Sequence, residues 1–125
     1  MIVRRFNMDR AKLESYHCTV EAAMDIVGGK YKAIIIYELI DKTLRYNEIQ
    51  KRIPQATPRM LSRQLKELEI DGIVNRVLYP VVPPKTEYSL TELGNTFVPI
   101  VKLLCKWGED YFKLNDVPTP CNKSE

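Results

Sequence analysis

The sequence predicts a mainly α-helical chain with one small β-hairpin, and three observations carry that expectation. Leu61, Leu65 and Leu68 fall at i, i+4 and i+7 between a helix-starting Thr57-Pro58 and a helix-ending Gly72, the period of an amphipathic helix. Ile73-Val-Asn-Arg-Val-Leu-Tyr79 and Lys85-Thr-Glu-Tyr-Ser-Leu90 flank the tip Pro80-Val-Val-Pro-Pro84, which reads as two strands and their turn. From Thr91 onward, Leu93, Phe97, Val101, Leu104, Gly108 and Tyr111 recur at helical spacing.

At 125 residues the chain has the length of one domain. Its hydrophobic fraction of 45% suffices for a core, though chains this small often gain stability by dimerising. The longest apolar run, Ala33-Ile-Ile-Ile-Tyr37, is far too short to span a membrane. The opening Met1-Ile-Val-Arg-Arg5 lacks the apolar stretch of a signal peptide. A cytoplasmic protein without membrane contact is expected. Cys18, Cys105 and Cys121 are widely spaced, and in a reducing compartment they form no disulfide framework.

Residues 1–17 form a mixed, charged arm in which Phe6, Met8 and Leu13 are the apolar residues available to a partner. A helix is expected from Thr19, with Thr19 as cap, Glu21 in the first turn, and Val20, Ala23, Met24 and Val27 on one side. Gly28-Gly29 ends it; the pair permits positive φ and close backbone approach. A phosphate-binding loop would need further glycines and a preceding strand. A second helix over 30–41 carries Ala33, Ile34, Ile36, Tyr37 and Ile40 around most of its girth, the pattern of a central buried helix. Leu44-Arg-Tyr46 suits a short strand, and a helix over 47–53 follows.

The helix after Thr57 is the functional candidate. The Thr57 hydroxyl can accept from a free first-turn amide, and Pro58 lacks only an N–H that the first turn does not use. Opposite the leucine stripe stand Arg59, Arg63 and Lys66, with Ser62 at the edge, and no acid occurs before Glu67. A solvated surface helix has this composition too, but its neighbours favour recognition. Residues 44–66 hold six basic residues and one acid, Glu48, an excess of five, while the whole chain is +3. The remainder is therefore −2, and the positive charge is focused here rather than spread. The turn Pro54-Gln-Ala-Thr57 is of helix-turn-helix length. Helix, turn, basic helix and hairpin is the order of a winged helix-turn-helix. Its second helix enters the major groove, and the wing, with Arg76 and Lys85, meets the phosphates.

The terminal helix is expected to run from Glu92 to about Leu114, kinked where Pro99 removes a backbone donor. Its broad face of Phe97, Val101, Leu104, Trp107 and Tyr111, with Ile100 and Phe112 beside it, exceeds what a small core needs and is assigned to a homodimer seam. The N- and C-terminal helices are thus dimerisation helices, residues 18–115 form the DNA-binding and dimerisation domain, and the proline-broken tail 116–125 is expected to be disordered.

These residues resemble the HxlR-type branch of the MarR-like bacterial transcriptional regulators. The matching pieces are Cys18, Gly28-Gly-Lys-Tyr-Lys32, Arg45-Tyr46, Glu48-Ile49, Leu61-Ser62, Leu65-Lys66 with Leu68, Asp71-Gly72-Ile73, Arg76, Tyr79, Pro83-Pro84, Glu87-Tyr-Ser-Leu-Thr91, Gly94, Pro99 and Trp107-Gly108. Each alone is weak; their order and spacing across 18–112 are specific. The resemblance implies a homodimer on pseudo-palindromic, double-stranded operator DNA. It also implies a first cysteine, here Cys18, that senses electrophiles or oxidants. The chain departs from the family pattern at Thr19, where proline is common, at Tyr31, where tryptophan is usual, and at Thr86, where a hydrophobic residue is usual.

Cys18 precedes a helix start, where amides and dipole favour a thiolate; a buried, inert cysteine is the competing reading. Cys105 shares phase with Val101 and Leu104 and reads as core, and Cys121 lies in the tail. His17 adjoins Cys18, but no Cys-x-x-Cys or His-x-x-x-His spacing occurs, so neither metal nor cofactor is expected. One histidine supports no catalytic constellation, so no enzyme is expected. A DNA-binding regulator therefore stands first, with arc residues Thr57, Arg59, Ser62, Arg63, Lys66, Arg45, Arg76 and Lys85. A winged-helix module that binds protein is the alternative. A thiol redox enzyme using Cys18 stands third, because no resolving cysteine lies nearby in sequence.

Overall fold

The structure is a computed structural model that describes residues 10–120; the expectations for Phe6, Met8, Cys121 and the last residues of the tail lie outside them. The elements in order are α1 (Arg10–Glu14), α2 (Thr19–Val27), α3 (Lys32–Glu38), β1 (Leu44–Arg45), α4 (Tyr46–Arg52), α5 (Pro58–Ile70), β2 (Val74–Tyr79), β3 (Lys85–Leu90), α6 (Glu92–Thr96) and α7 (Val98–Leu114). The three strands form one antiparallel sheet in the order β1-β3-β2. Leu44 faces Tyr88 and Arg45 faces Glu87, while β2 and β3 pair from Val74–Leu90 out to Tyr79–Lys85. This is a mainly helical winged helix-turn-helix, as the element order predicts.

The core lies where α3, α4 and α5 meet. Ile35, Ile36, Leu39, Ile49, Ile53, Leu61, Leu65 and Leu68 are fully buried there, each contributing about 1.5–3 kcal/mol of transfer free energy. Gly72 takes φ 81° just beyond α5, a conformation that L side chains resist. It turns the chain so that the Ile73 N–H donates to Leu68 O at 2.8 Å and β2 starts.

The structure corrects several local expectations. Thr19 is the first residue of α2 and not its cap. Cys18 holds the cap position with extended dihedrals, without a side-chain cap bond. Glu21 instead reaches back and accepts from the His17 N–H at 2.7 Å. Gly28 ends α2 at φ −92°, so its permitted positive φ is not used. Of the expected apolar side of α2, only Val27 is buried; Val20, Ala23 and Met24 face solvent.

The second helix is shorter than 30–41. Residues 30 and 31 are consumed by the turn from α2, and Asp41 adopts φ 57° after a helix end at Leu39. It is not apolar all round either. Ile35 and Leu39 fill the core, and Tyr37, an expected core residue, is exposed. Tyr46 starts α4 rather than ending β1.

The terminal helix is two helices, not one kinked helix. Thr91 Oγ1 accepts from the Gly94 N–H at 2.9 Å to start α6, and Phe97 separates it from α7, whose first turn contains Pro99. Proline there removes no helical hydrogen bond, so the chain breaks before it and restarts. At the far end, the Asp116 and Val117 N–H groups donate to Lys113 O and Phe112 O at 3.1 and 3.0 Å, folding the start of the expected tail back on α7.

One ion pair ties α3 to α5. The buried Lys32 Nζ lies 2.9 Å from Glu67 Oε1. That hydrogen bond is the main cause holding the Glu67 carboxyl below its ordinary value of 4.5, against opposing desolvation. A depressed carboxylate contributes stability above its unfolded value and loses it as pH falls through its folded value. Glu67→Gln should therefore lower stability at pH 7 by about 1–3 kcal/mol, less than the ~3–5 for a fully buried pair because the Glu67 carboxylate is partly solvated. The gap between wild type and variant in urea midpoint should start to narrow as pH falls below the ordinary carboxylate value of 4.5 and close once pH passes the lowered folded value. An equal gap at pH 7 and pH 3 would show that the ion pair is not its source.

Candidate nucleic-acid interface

The face assembled around α5 starts from a fixed N-terminus. Thr57 is extended (φ −70°, ψ 153°), and its Oγ1 accepts from the Met60 N–H at 3.1 Å. Leu61, Gln64, Leu65 and Leu68 point inward. Arg59, Ser62, Arg63 and Lys66 are exposed on the outer arc, where sequence periodicity puts them. Arg63 is braced by Glu67 at 3.5 Å, the carboxylate that also holds Lys32. One buried lysine thus anchors a residue of the outer arc through a shared anion.

Three positioning residues went unnoticed in the sequence. Gln64 is buried, and its Oε1 accepts from the Tyr31 N–H at 2.9 Å. A Cβ on Gly29 would lie 2.8 Å from the Gln64 amide nitrogen, so a side chain there would push this amide from its place against the α2–α3 turn. The signal was legible: Gln64 shares the leucine stripe, and a polar residue at a core position implies a buried bond.

Tyr46 and Gln50 set the turn. The Tyr46 hydroxyl donates to Pro58 O at 3.1 Å and accepts from Ser62 Oγ at 3.3 Å. Gln50 Nε2 donates to Ala56 O at 2.8 Å, and the Tyr31 hydroxyl donates to Gln55 O at 3.2 Å. Ser62 therefore presents a hydroxyl already oriented by Tyr46.

The remaining expected contacts divide between the two faces of the wing. Arg76 pairs with the buried Tyr88 in the ladder, so it lies on the face toward α5. There it lines a groove of about 550 Å³ with Ser62, Lys66, Glu69 and Ile70. Lys85 stands opposite Tyr79, an odd number of positions from Arg76, and so lies on the other face. Its ammonium sits 3.7 Å from Glu87 and 5.1 Å from the Tyr79 ring centre. Arg45, whose N–H donates to Glu48 Oε1 at 2.8 Å, joins Lys85 at a second cleft, of about 660 Å³. The structure thus gathers Ser62, Lys66 and Arg76 at one recess and Arg45 and Lys85 at another, on opposite faces of the wing.

Cys18 is exposed at the start of α2 and not buried. Cys105 is half-buried, its thiol 3.8 Å from Glu109 Oε2. Among the expected dimer residues, Val101 is 4% exposed and Phe97 packs on the core. These two close the chain's own core, because α7 lies against α3 there. Leu104, Trp107 and Tyr111 do face outward, joined by Leu103 and Leu114. Trp107 and Tyr111 stack with ring centres 5.5 Å apart. Among the described residues no cluster could hold a metal ion, and no helix is long and apolar enough to cross a membrane.

Comparison with known proteins decides the family. The HxlR-like helix-turn-helix profile matches residues 26–116. The chain belongs to this family. It is 44% identical over 122 residues to the HTH-type transcriptional regulator YdeP of Bacillus subtilis strain 168, covering 98% of this chain and 95% of YdeP. It is 53% identical over 92 residues to YybR of the same organism, covering 74% of each. Among solved structures, the redox regulator HypR matches in its oxidized form with TM-score 0.72 and 53% identity, over 74% of this chain and 96% of that one. The reduced form of HypR matches with TM-score 0.74 and 48% identity, over 79% and 98%. This HxlR-like chain is a transcriptional regulator and not an enzyme, and its fold is that of the MarR-like winged helix-turn-helix proteins.

Proposed function

We propose that this regulator works as a homodimer that binds a pseudo-palindromic operator sequence-specifically, with α5 in the major groove and the hairpin as wing. The observation that carries the reading is the division of α5. Its inner face is locked by three leucines and the Gln64–Tyr31 bond, while Arg59, Ser62, Arg63 and Lys66 stand exposed, Ser62 held by Tyr46 and Arg63 by Glu67. A helix held this firmly, with donors aimed outward from its N-terminal half, suits base edges and phosphates. Ile70, exposed at the far end of α5, is the one apolar anchor that a protein groove could use there, against four polar or cationic side chains. Selection of bound duplexes from a random pool tests it; recovery of no palindromic consensus would favour a protein-binding module.

Side chains on α5 and on the wing should behave differently. Arg59→Ala and Arg63→Ala should each cost about 1–3 kcal/mol of discrimination at one base pair. Lys85→Ala should weaken all duplexes alike and reduce the salt slope by about one. Titrations across salt on matched and mismatched duplexes would show this, and relaxed specificity from Lys85→Ala alone would contradict the placement.

The dimer seam in this reading joins α7 to α2. Leu103, Leu104, Trp107, Tyr111 and Leu114 on α7, and Val20 and Met24 on α2, are all more than half exposed. A soluble monomer rarely leaves so much apolar surface together; a second copy covers it by two-fold symmetry. Sedimentation at micromolar concentration should give a dimer, and Trp107→Asp should give a folded monomer. A monomeric wild type would end this reading of α7.

Cys18 is proposed as the sensor thiol, supported by its exposure at the start of α2 and by the likeness to HypR, described as a redox regulator. Modification there by an electrophile or oxidant disturbs α2, and with it the spacing of two recognition helices that must match half-sites about 34–36 Å apart. Operator binding should change after diamide treatment, and Cys18→Ser should abolish that change while leaving reduced binding intact. A Cys18→Ser protein that still responds as wild type would clear Cys18 of the role.

A further inference from the structure

The outer arc of α5 is almost entirely a row of donors. Arg59, Arg63 and Lys66 carry N–H groups and no acceptor. Ser62 is the exception, because a hydroxyl can either donate its one hydrogen or accept at its lone pairs. Which of the two it offers to a partner is decided by the groups behind it.

Those groups form a chain of hydrogen bonds with one direction. Gln50 Nε2 faces two carbonyls, Ala56 O at 2.8 Å and Ile53 O at 3.4 Å. The reverse orientation of that amide would set its oxygen against both, so Oε1 is the atom turned to Tyr46. The Tyr46 hydroxyl then has two pure acceptors beside it, Pro58 O at 3.1 Å and Gln50 Oε1 at 3.4 Å. Its single hydrogen is committed to them. Toward Ser62 Oγ, 3.3 Å away, the tyrosine oxygen can only accept. Ser62 must therefore donate inward, and its exposed side is left with lone pairs alone.

Resting on the DNA-binding reading, we infer that Ser62 is a specificity-determining acceptor, set by Tyr46, that reads the exocyclic amino group of one base, adenine N6 or cytosine N4. Those amino groups are the donors that base edges show in the major groove. Phosphate oxygens, guanine N7 and O6 and thymine O4 only accept, so a contact with any of them would cost Ser62 its bond to Tyr46. Tyr46 is a positioning residue: it acts through the serine and fixes the sense of its hydroxyl. Arg59, Arg63 and Lys66 can address acceptors and phosphates, and Ser62 adds the one opposite contact that such a row lacks.

The test uses the full chain and the consensus duplex recovered from the random pool. Ser62→Ala should relax preference at one base pair. At that pair the amino group is then removed, with purine in place of adenine or pyrimidin-2-one in place of cytosine. Wild type should lose about three- to tenfold in affinity on the amino-free duplex, the range of one neutral hydrogen bond. Ser62→Ala should not distinguish the two duplexes. Tyr46→Phe keeps the ring that packs on the core but takes away the acceptor of the Ser62 hydrogen, so the ratio between the duplexes should fall toward one. In a Ser62→Ala background the same change should leave the ratio as it is. A general loosening of α5 would weaken both duplexes together without moving that ratio.

If Ser62→Ala weakens every duplex alike, the serine donates to a phosphate; the inference is wrong and the DNA-binding reading stands. If wild type and Ser62→Ala feel the missing amino group equally, or Ser62→Ala changes nothing, the serine reads no amino group and the inference again fails alone. Full discrimination by Tyr46→Phe would remove Tyr46 from its role and overturn the scheme. If wild type recovers no consensus from the pool, the reading beneath it fails as well.

Discussion

The structure depends on the docking of α5 against the start of α3. Two polar contacts fix it within an apolar interface, Gln64 Oε1 to the Tyr31 N–H and Lys32 Nζ to Glu67. Leucines alone would hold α5 against the core but tolerate sliding, since dispersion has little directional preference. A buried amide and a buried ammonium do not, because each shift of register leaves a polar group without its partner. The leucines therefore supply most of the stability, and the two polar contacts supply the position. The position matters for recognition, since side chains on the outer arc are placed by whatever fixes the inner one.

The same logic extends into the turn. Tyr46, Gln50 and Tyr31 each spend a side-chain donor on a carbonyl between residues 55 and 58. A four-residue connection would otherwise leave those carbonyls to water and the helix entry loosely set. These bonds tie α4 to α5 through the turn, whereas α2, attached through Gly28 and Gly29, buries only Val27. An exposed thiol at the outer end of α2 sits where a local change is cheap, while the recognition helix sits where it is not.

Much of this was legible in the chain. The bounds of α5, β2 and β3, and the turn at Gly72, follow from local chemistry: Thr57-Pro58 can only start a helix, and Pro80 to Pro84 can only be a tip. What was not legible needed tertiary partners. Ile34 and Ile35 are the same side chain, and only the direction of the neighbouring helices decides that Ile35 is fully buried and Ile34 only partly so. The place of Gln64 in the leucine stripe was readable, but its partner, the Tyr31 N–H, lies far away in the chain and only the fold brings it there. Pro99 was expected to bend one helix, because a sequence window does not show that Phe97 turns back onto the core and lets a new helix begin. Val101 and Leu104 have the same phase, yet α3 reaches only the first. The odd offset between Arg76 and Lys85 was readable from the strands themselves, once the register was known.

The break at Phe97 gives α7 a mechanical character. Val101 near its start is buried in the core, and beyond it in the helix only Cys105, Gly108, Glu109 and Phe112 are partly covered. Seventeen residues make a rod of about 25 Å, so a tilt of about 10° at the seated end sweeps the far end through about 4 Å. The helix is in effect a lever with a short, heavy end in the core and a long, light end bearing Trp107 and Tyr111. Displacements too small to disturb packing at the fulcrum become large ones at the tip, and the reverse holds too: a coarse push on the aromatic end reaches the fulcrum as a fine adjustment.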